Sequence, residues 1–146
     1  MKDLDKATIE TLLQAEKKAS EEREKKFELE RKKTTEFNEK VHRVMNEIVI
    51  PTLKECREYL TSLGKKCEIS ESNYSLIFEN RAGEISFIPR VHNKKIAVYV
   101  DISRMFGGHG TSEELEVDAI TKEFVESKVV KMIEECISRS TELLKK

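Results

Sequence analysis

Three successive stretches of alternating side chains constrain this chain more than any other feature. Tyr74, Leu76 and Phe78 alternate with Ser75, Ile77 and Glu79. Ile85, Phe87, Pro89 and Val91 alternate with Glu84, Ser86, Ile88 and Arg90, and Ile96, Val98, Val100 and Ile102 with Ala97, Tyr99, Asp101 and Ser103. Successive side chains of a strand point to opposite faces, so each stretch reads as a strand with one apolar face. The links Asn80-Arg81-Ala82-Gly83 and His92-Asn93-Lys94-Lys95 are short and turn-like. With a first strand over Cys67–Glu71, they predict a four-stranded antiparallel meander.

Pairing Glu79 with Glu84 and Val91 with Ile96 makes every row on one face apolar: Phe78 meets Ile85, Phe87 meets Val100, Pro89 meets Val98. Pro89 has no N–H to donate, so a neighbouring strand should end before reaching it. On the other face this register sets Ile88 opposite Tyr99, with Ile77 as the diagonal neighbour and Ala97 nearby.

A one-faced sheet needs a cover, and two amphipathic helices flank it. Phe37, Val41, Val44, Met45, Ile48, Thr52, Cys56, Tyr59, Leu60 and Leu63 recur at steps of three and four. Pro51 interrupts this stripe without shifting its phase, which predicts one helix kinked near Pro51. Gly64 supplies the stop. The second helix opens at a Thr121 cap flanked by Ile120 and Val125, and its stripe runs Val125, Val129, Met132, Ile133, Cys136, Ile137, Leu144. The expected fold class is therefore α+β: a long N-terminal helix, the meander, and a C-terminal helix packed on one sheet face.

Residues 1–36 read as a charged helical arm and 37–146 as the α+β body. Between Lys2 and Lys40 there is neither Gly nor Pro, and pairs such as Glu21–Lys25 and Glu28–Lys32 favour the helix. A heptad begun at Ile9 places Glu16, Arg23, Lys26, Glu30 and Lys33 at core positions, so a sustained coiled coil fails in the middle of the arm. Leu4, Ile9, Leu12 and Leu13 form an isolated apolar spot with too few neighbours to bury itself. Together with Ile77, Ile88 and Tyr99 they are the candidate interaction surface.

The glycine segment Gly107-Gly108-His109-Gly110, with Arg104 before it, is the candidate ligand-binding site. Its backbone donors suit a phosphate if a helix opens at Glu113 behind a Thr111–Glu114 capping box. The Gly-Lys-Thr/Ser ending of a phosphate loop is absent, and Glu113, Glu114 and Glu116 repel anions. A histidine such as His109 is a residue type that can serve as acid or base near neutral pH, yet no neighbouring nucleophile context marks a catalytic set, and an enzyme is the less expected class. A sheet–helix cavity lined by Tyr74, Phe78, Phe87, Phe124 and Met132 is a further ligand candidate, although such residues usually form the core.

Composition narrows the function. Twenty-seven basic against 28 acidic side chains leave a net charge of -1, so no nucleic-acid partner is expected. The apolar run Ile96–Val100 is far too short for a membrane span, and no secretory leader opens the chain. Cys56, Cys67 and Cys136 match no metal or redox spacing, the histidines His42, His92 and His109 are scattered, and neither metal nor cofactor is implied. Free cysteines favour a cytoplasmic setting. The sequence thus points to a non-enzymatic interaction or assembly domain that self-associates through helices, as a homo-oligomer or with another protein. The alternative is a small-ligand binder or enzyme using the cavity or the Gly107–Gly110 loop.

Overall fold

The computed structural model describes residues 3–102 and 110–145. Two compact units emerge, Met1–Glu36 and Phe37–Lys146. The first is helical throughout its described length, as part of α1 (Asp3–Val44). Nearly every side chain from Asp5 to Glu36 is exposed, Thr34 alone being half-buried. At the usual rise per residue, its stretch from residue 3 to 36 is about 51 Å long.

In the second unit the helical path continues from α1 through a single π turn, Met45–Val49, into α2 (Ile50–Ser62). Pro51 explains the turn. It donates no hydrogen bond, and its ring crowds the carbonyl four residues back. Widening the preceding turn relieves both, and the Ile50 N–H reaches five residues back to the Met45 carbonyl. The apolar stripe continues but moves by one residue across the turn, contrary to the expected unbroken phase: Phe37, Val41 and Met45 are buried as expected, whereas beyond them Val49 and Leu53 are fully buried, Ile48 and Cys56 are half-buried, and Tyr59 and Leu63 are exposed. α2 ends in a Schellman turn, with Gly64 at φ 83°, its N–H on the Thr61 carbonyl (3.0 Å) and the Lys65 N–H on the Leu60 carbonyl (2.9 Å).

The sheet has five antiparallel strands in sequential order, not four: β1 (Cys67–Ser70), β2 (Ser75–Phe78), β3 (Gly83–Arg90), β4 (Lys95–Ile102) and β5 (Gly110–Leu115). The fifth lies where the sequence suggested a glycine loop and a capping box. Its residues alternate too weakly to be read as a strand, because its inward positions include the charged Glu113, opposite Val98. A tertiary ion pair with Lys128 substitutes there for apolar contact, and only Leu115 packs against the core.

Both hairpin registers differ from expectation by two residues. Phe78 pairs with Gly83 and Leu76 with Ile85, while Phe87 pairs with Val98 and Pro89 with Ile96. The turns are Glu79–Ala82 and Val91–Lys94, one residue earlier than the glycine and lysine positions suggested. A slip of two preserves which face each side chain takes, so the apolar face is as expected although its rows are not. β2 stops opposite Ser86, which frees the side of Pro89 that cannot donate.

Gly83 is a strand residue for a packing reason. α3 (Lys122–Lys145) crosses so closely that a Cβ at Gly83 would lie 2.5 Å from the Cys136 Sγ and 3.1 Å from the Met132 Cγ. Gly83→Ala should therefore lower the unfolding free energy by about 1–3 kcal/mol. Denaturant melts of the single variant and of Gly83→Ala/Cys136→Ala check the cause, since removing the sulfur should restore part of the loss. α3 starts as expected, the Phe124 N–H donating to the Thr121 hydroxyl at 3.1 Å, with Ile120 and Val125 buried beside it.

α2 and α3 lie on the sheet face formed by Leu76, Phe78, Ile85, Phe87, Ile96 and Val98, all buried. From α3 they are met by Val125, Val129, Met132 and Cys136. Phe87 and Met132 are thus core and Tyr74 and Phe124 pack half-buried against it; of the side chains suggested as a cavity lining, Phe78 borders the cleft between the helices.

Candidate functional site

Helices α2 and α3 begin close together, where Lys122 meets Glu55 at 3.1 Å. Farther along, beyond Leu60 and Val129, they leave an open cleft of about 510 Å³. Phe78 lines it from the sheet; Cys56, Tyr59, Leu60 and Leu63 line it from α2 and its end. Val129, Val130, Ile133 and Ile137 line it from α3. Lys65 and Glu134 are its charged residues and Ser138 its other polar one. Lys65 makes a loose pair with Glu79 at 3.7 Å.

The cleft exists because both apolar stripes are wider than the sheet can cover. Projected at 100° per residue, the apolar side chains of α3 from Val125 onward span about 160°, against the roughly 100° typical of a stripe that faces a core. One half, Val125, Val129, Met132 and Cys136, is buried. The other half turns to solvent, with Val130 52% and Ile137 49% exposed. α2 divides likewise: Leu53 and Leu60 are buried, while Tyr59 is 66% and Leu63 59% exposed. Large apolar side chains this exposed and this close mark a surface that another molecule can cover.

The Cys56 thiol faces this environment. Burial, then the nearby carboxylates of Glu126 and Glu55 and the Cys67 thiol, push it up to about 11, while Lys122 opposes them. The Cys67 thiol is raised too, chiefly by burial. A raised thiol is protonated at neutral pH and a poor nucleophile. Alkylation of Cys56 should be slow at pH 7 and accelerate until about pH 11; mass spectrometry after timed iodoacetamide treatment checks this.

The expected surface residues fall in separate places. Ile9, Leu12 and Leu13 are 39%, 63% and 57% exposed on α1; Leu4 belongs to the same helix. Ile77 and Tyr99 are half-buried and Ile88 is 37% exposed on the outer sheet face. Ile88 pairs with Ala97, and Tyr99 with Ser86. The Arg90 guanidinium donates to the Tyr99 hydroxyl and lies 5.7 Å from its ring centroid. Spanning two rungs of the sheet, that side chain crosses the Ile88–Ala97 row, in which Ala97 is 1% and Ile88 37% exposed. The outer face therefore offers less open apolar surface than the cleft.

Of the candidate ligand residues, Arg104, Gly107, Gly108 and His109 lie outside the described residues. Gly110 opens β5, which runs on to Leu115. Glu113 is therefore a strand residue, and the helix that a phosphate cradle needs does not begin there. Among the described residues no group of His, Cys, Asp or Glu side chains could hold a metal ion, and no helix is long and apolar enough to cross a membrane.

Sequence reasoning passed over Tyr59, Leu63 and Ile137 as a site because it assigned the stripes to the core, and it left Val130 out of the stripe altogether. It also passed over Phe27 and Leu29, 66% and 52% exposed on α1. The excess width of the stripes was the available signal for the cleft. No family model matches the chain, and no curated protein or solved structure is similar to it.

Proposed function

We propose that the chain is a non-enzymatic interaction or assembly domain that self-associates through its helices into a homo-oligomer. Residues 1–36 act as a charged arm and residues 37–146 as the body that carries the joining surface. The observation that supports this reading best is the open α2–α3 cleft, with Tyr59, Leu63, Val130 and Ile137 half-exposed or more around it. Covering each such side chain contributes on the order of 1 kcal/mol, part of the roughly 1.5–3 kcal/mol of full burial. Several together offset much of the entropy lost on association. The net charge of -1 imposes little self-repulsion, and three free cysteines suit a reducing cytoplasm. Size-exclusion chromatography with light scattering should give a mass that rises with concentration from monomer to dimer or beyond. A monomer at every concentration would refute the reading.

One observation favours a second reading. The cleft volume lies within the range of small-molecule pockets, roughly 300–1,000 Å³, and few of its lining groups are polar. An apolar small molecule is then the ligand. Saturable binding of a hydrophobic fluorophore by a strictly monomeric chain, abolished by Val130→Glu, is the result this reading expects.

A further inference from the structure

We infer that β5 is a charged strap over the most strand-prone edge of the sheet, fastened by the ion pair between Lys128 of α3 and Glu113. The edge belongs to β4, which contains Ile96-Ala97-Val98-Tyr99-Val100, the longest run of apolar and aromatic residues in the chain. A run of this kind, rich in β-branched side chains and free of charge, Pro and Gly, recruits further strands when its backbone edge is bare. β5 pairs with all of it, from Ile96 opposite Leu115 to Val100 opposite Thr111.

β5 is itself a poor template for another strand. Gly, Thr, Ser and two Glu make up five of its six residues. Glu113 stands at an inward position, opposite Val98, and an inward charge on an edge strand blunts that edge. The other edge of the sheet is blunted by shortness instead, since β1 has four residues.

The strap is held with little apolar help. Gly110 to Glu114 are exposed and Leu115 is half-buried. Firm anchoring begins only after the strand, at Val117 and Ile120, which are 5% and 1% exposed. What remains is backbone pairing with β4 and two side-chain ties. Asn93, between β3 and β4, donates to the Glu114 carboxylate. Lys128 pairs with Glu113, and its ammonium lies 5.7 Å from the centroid of the Phe124 ring. A segment that buries so little apolar surface opens locally, below the free energy of global unfolding. Its closure then depends on the ion pair, and opening it bares the β4 edge. None of this rests on the self-association reading.

The test uses full-length chains. Lys128→Met keeps an unbranched stem beside Phe124 and removes the charge; Lys128→Arg keeps the charge. Lys131→Met is the control, an equal change of charge at an exposed position of the same helix. Amide exchange followed by NMR, at a concentration where the chain is monomeric, should be about tenfold or more faster over residues 110–115 than in β2 and β3. Lys128→Met should speed 110–115 about fivefold further and leave β2, β3 and α3 unchanged, while Lys128→Arg and Lys131→Met resemble wild type. Thioflavin T fluorescence of agitated samples should then rise after about half the wild-type lag, or less, in Lys128→Met alone. Wild-type exchange over 110–115 as slow as that of β3 overturns the inference, because β5 would then open only with the body. Unchanged exchange of 110–115 in Lys128→Met overturns the fastening. Equal acceleration in α3 and β3 overturns the independence of the strap. A lag that is unchanged, or shortened as much by Lys131→Met, overturns its protective role.

Discussion

Leu53→Ala should lower the free energy of unfolding by about 2–5 kcal/mol, while Leu63→Ala should change it by less than about 0.5 kcal/mol. The two leucines belong to α2 and its end, yet Leu53 is 0% and Leu63 59% exposed. Leu53 sits in the cluster formed by Met45, Val49, Leu76 and Val129. Truncating it leaves a hole that close-packed neighbours fill only in part. Leu63 loses only a side chain that faces the cleft, and the Schellman turn beside it is made by backbone groups. Urea titrations of the two variants at a concentration where the chain is monomeric check the contrast. Equal losses would mean that the cleft is part of the core.

Val130→Glu should weaken self-association about 100-fold, which is about 2.8 kcal/mol, without loss of thermal stability in the monomer. A carboxylate introduced among Tyr59, Leu63 and Ile137 must be stripped of water whenever a partner covers the cleft, and Glu134, one turn further along α3, adds like-charge repulsion to that cost. In the free chain the same carboxylate remains hydrated, because the position is 52% exposed. Val130→Ala removes contact area without adding charge and should cost about tenfold or less. Dissociation constants from sedimentation equilibrium, with Tm values from calorimetry, separate the two effects.

The fold was legible where patterning is governed by burial. The sheet face, the stripe from Phe37 to Met45 and the Thr121 cap were readable because each residue type there answers to a single demand, whereas the π turn before Pro51 moved the stripe beyond it by one residue. Legibility failed where one residue answers to two. Gly83 looked like a turn residue, since glycine usually marks a turn, but it serves the approach of Cys136 and Met132 from α3. Misplacing it by one position moved the register by two. Glu113 was read as the opening of a short helix, yet it holds an inward strand position through Lys128. No local pattern reports a partner that lies beyond the next element. The cleft was half legible: its residues stood in the apolar stripes, but which part of a wide stripe faces the sheet depends on how α2 and α3 lie beside each other. Ile88 and Tyr99 were assigned to the proper face and the wrong row, and the contact from Arg90 to Tyr99 across that face was not foreseen.

Amide hydrogen exchange at low and high protein concentration tests the central claim, that helical surfaces of this chain are covered by another copy. Protection should rise with concentration over residues 56–63 and 129–138, and over 5–19 of the arm, while the strands β2 to β4 stay constant. Exchange that is independent of concentration in both helical regions would contradict the account, leaving the α2–α3 cleft open for something other than this protein.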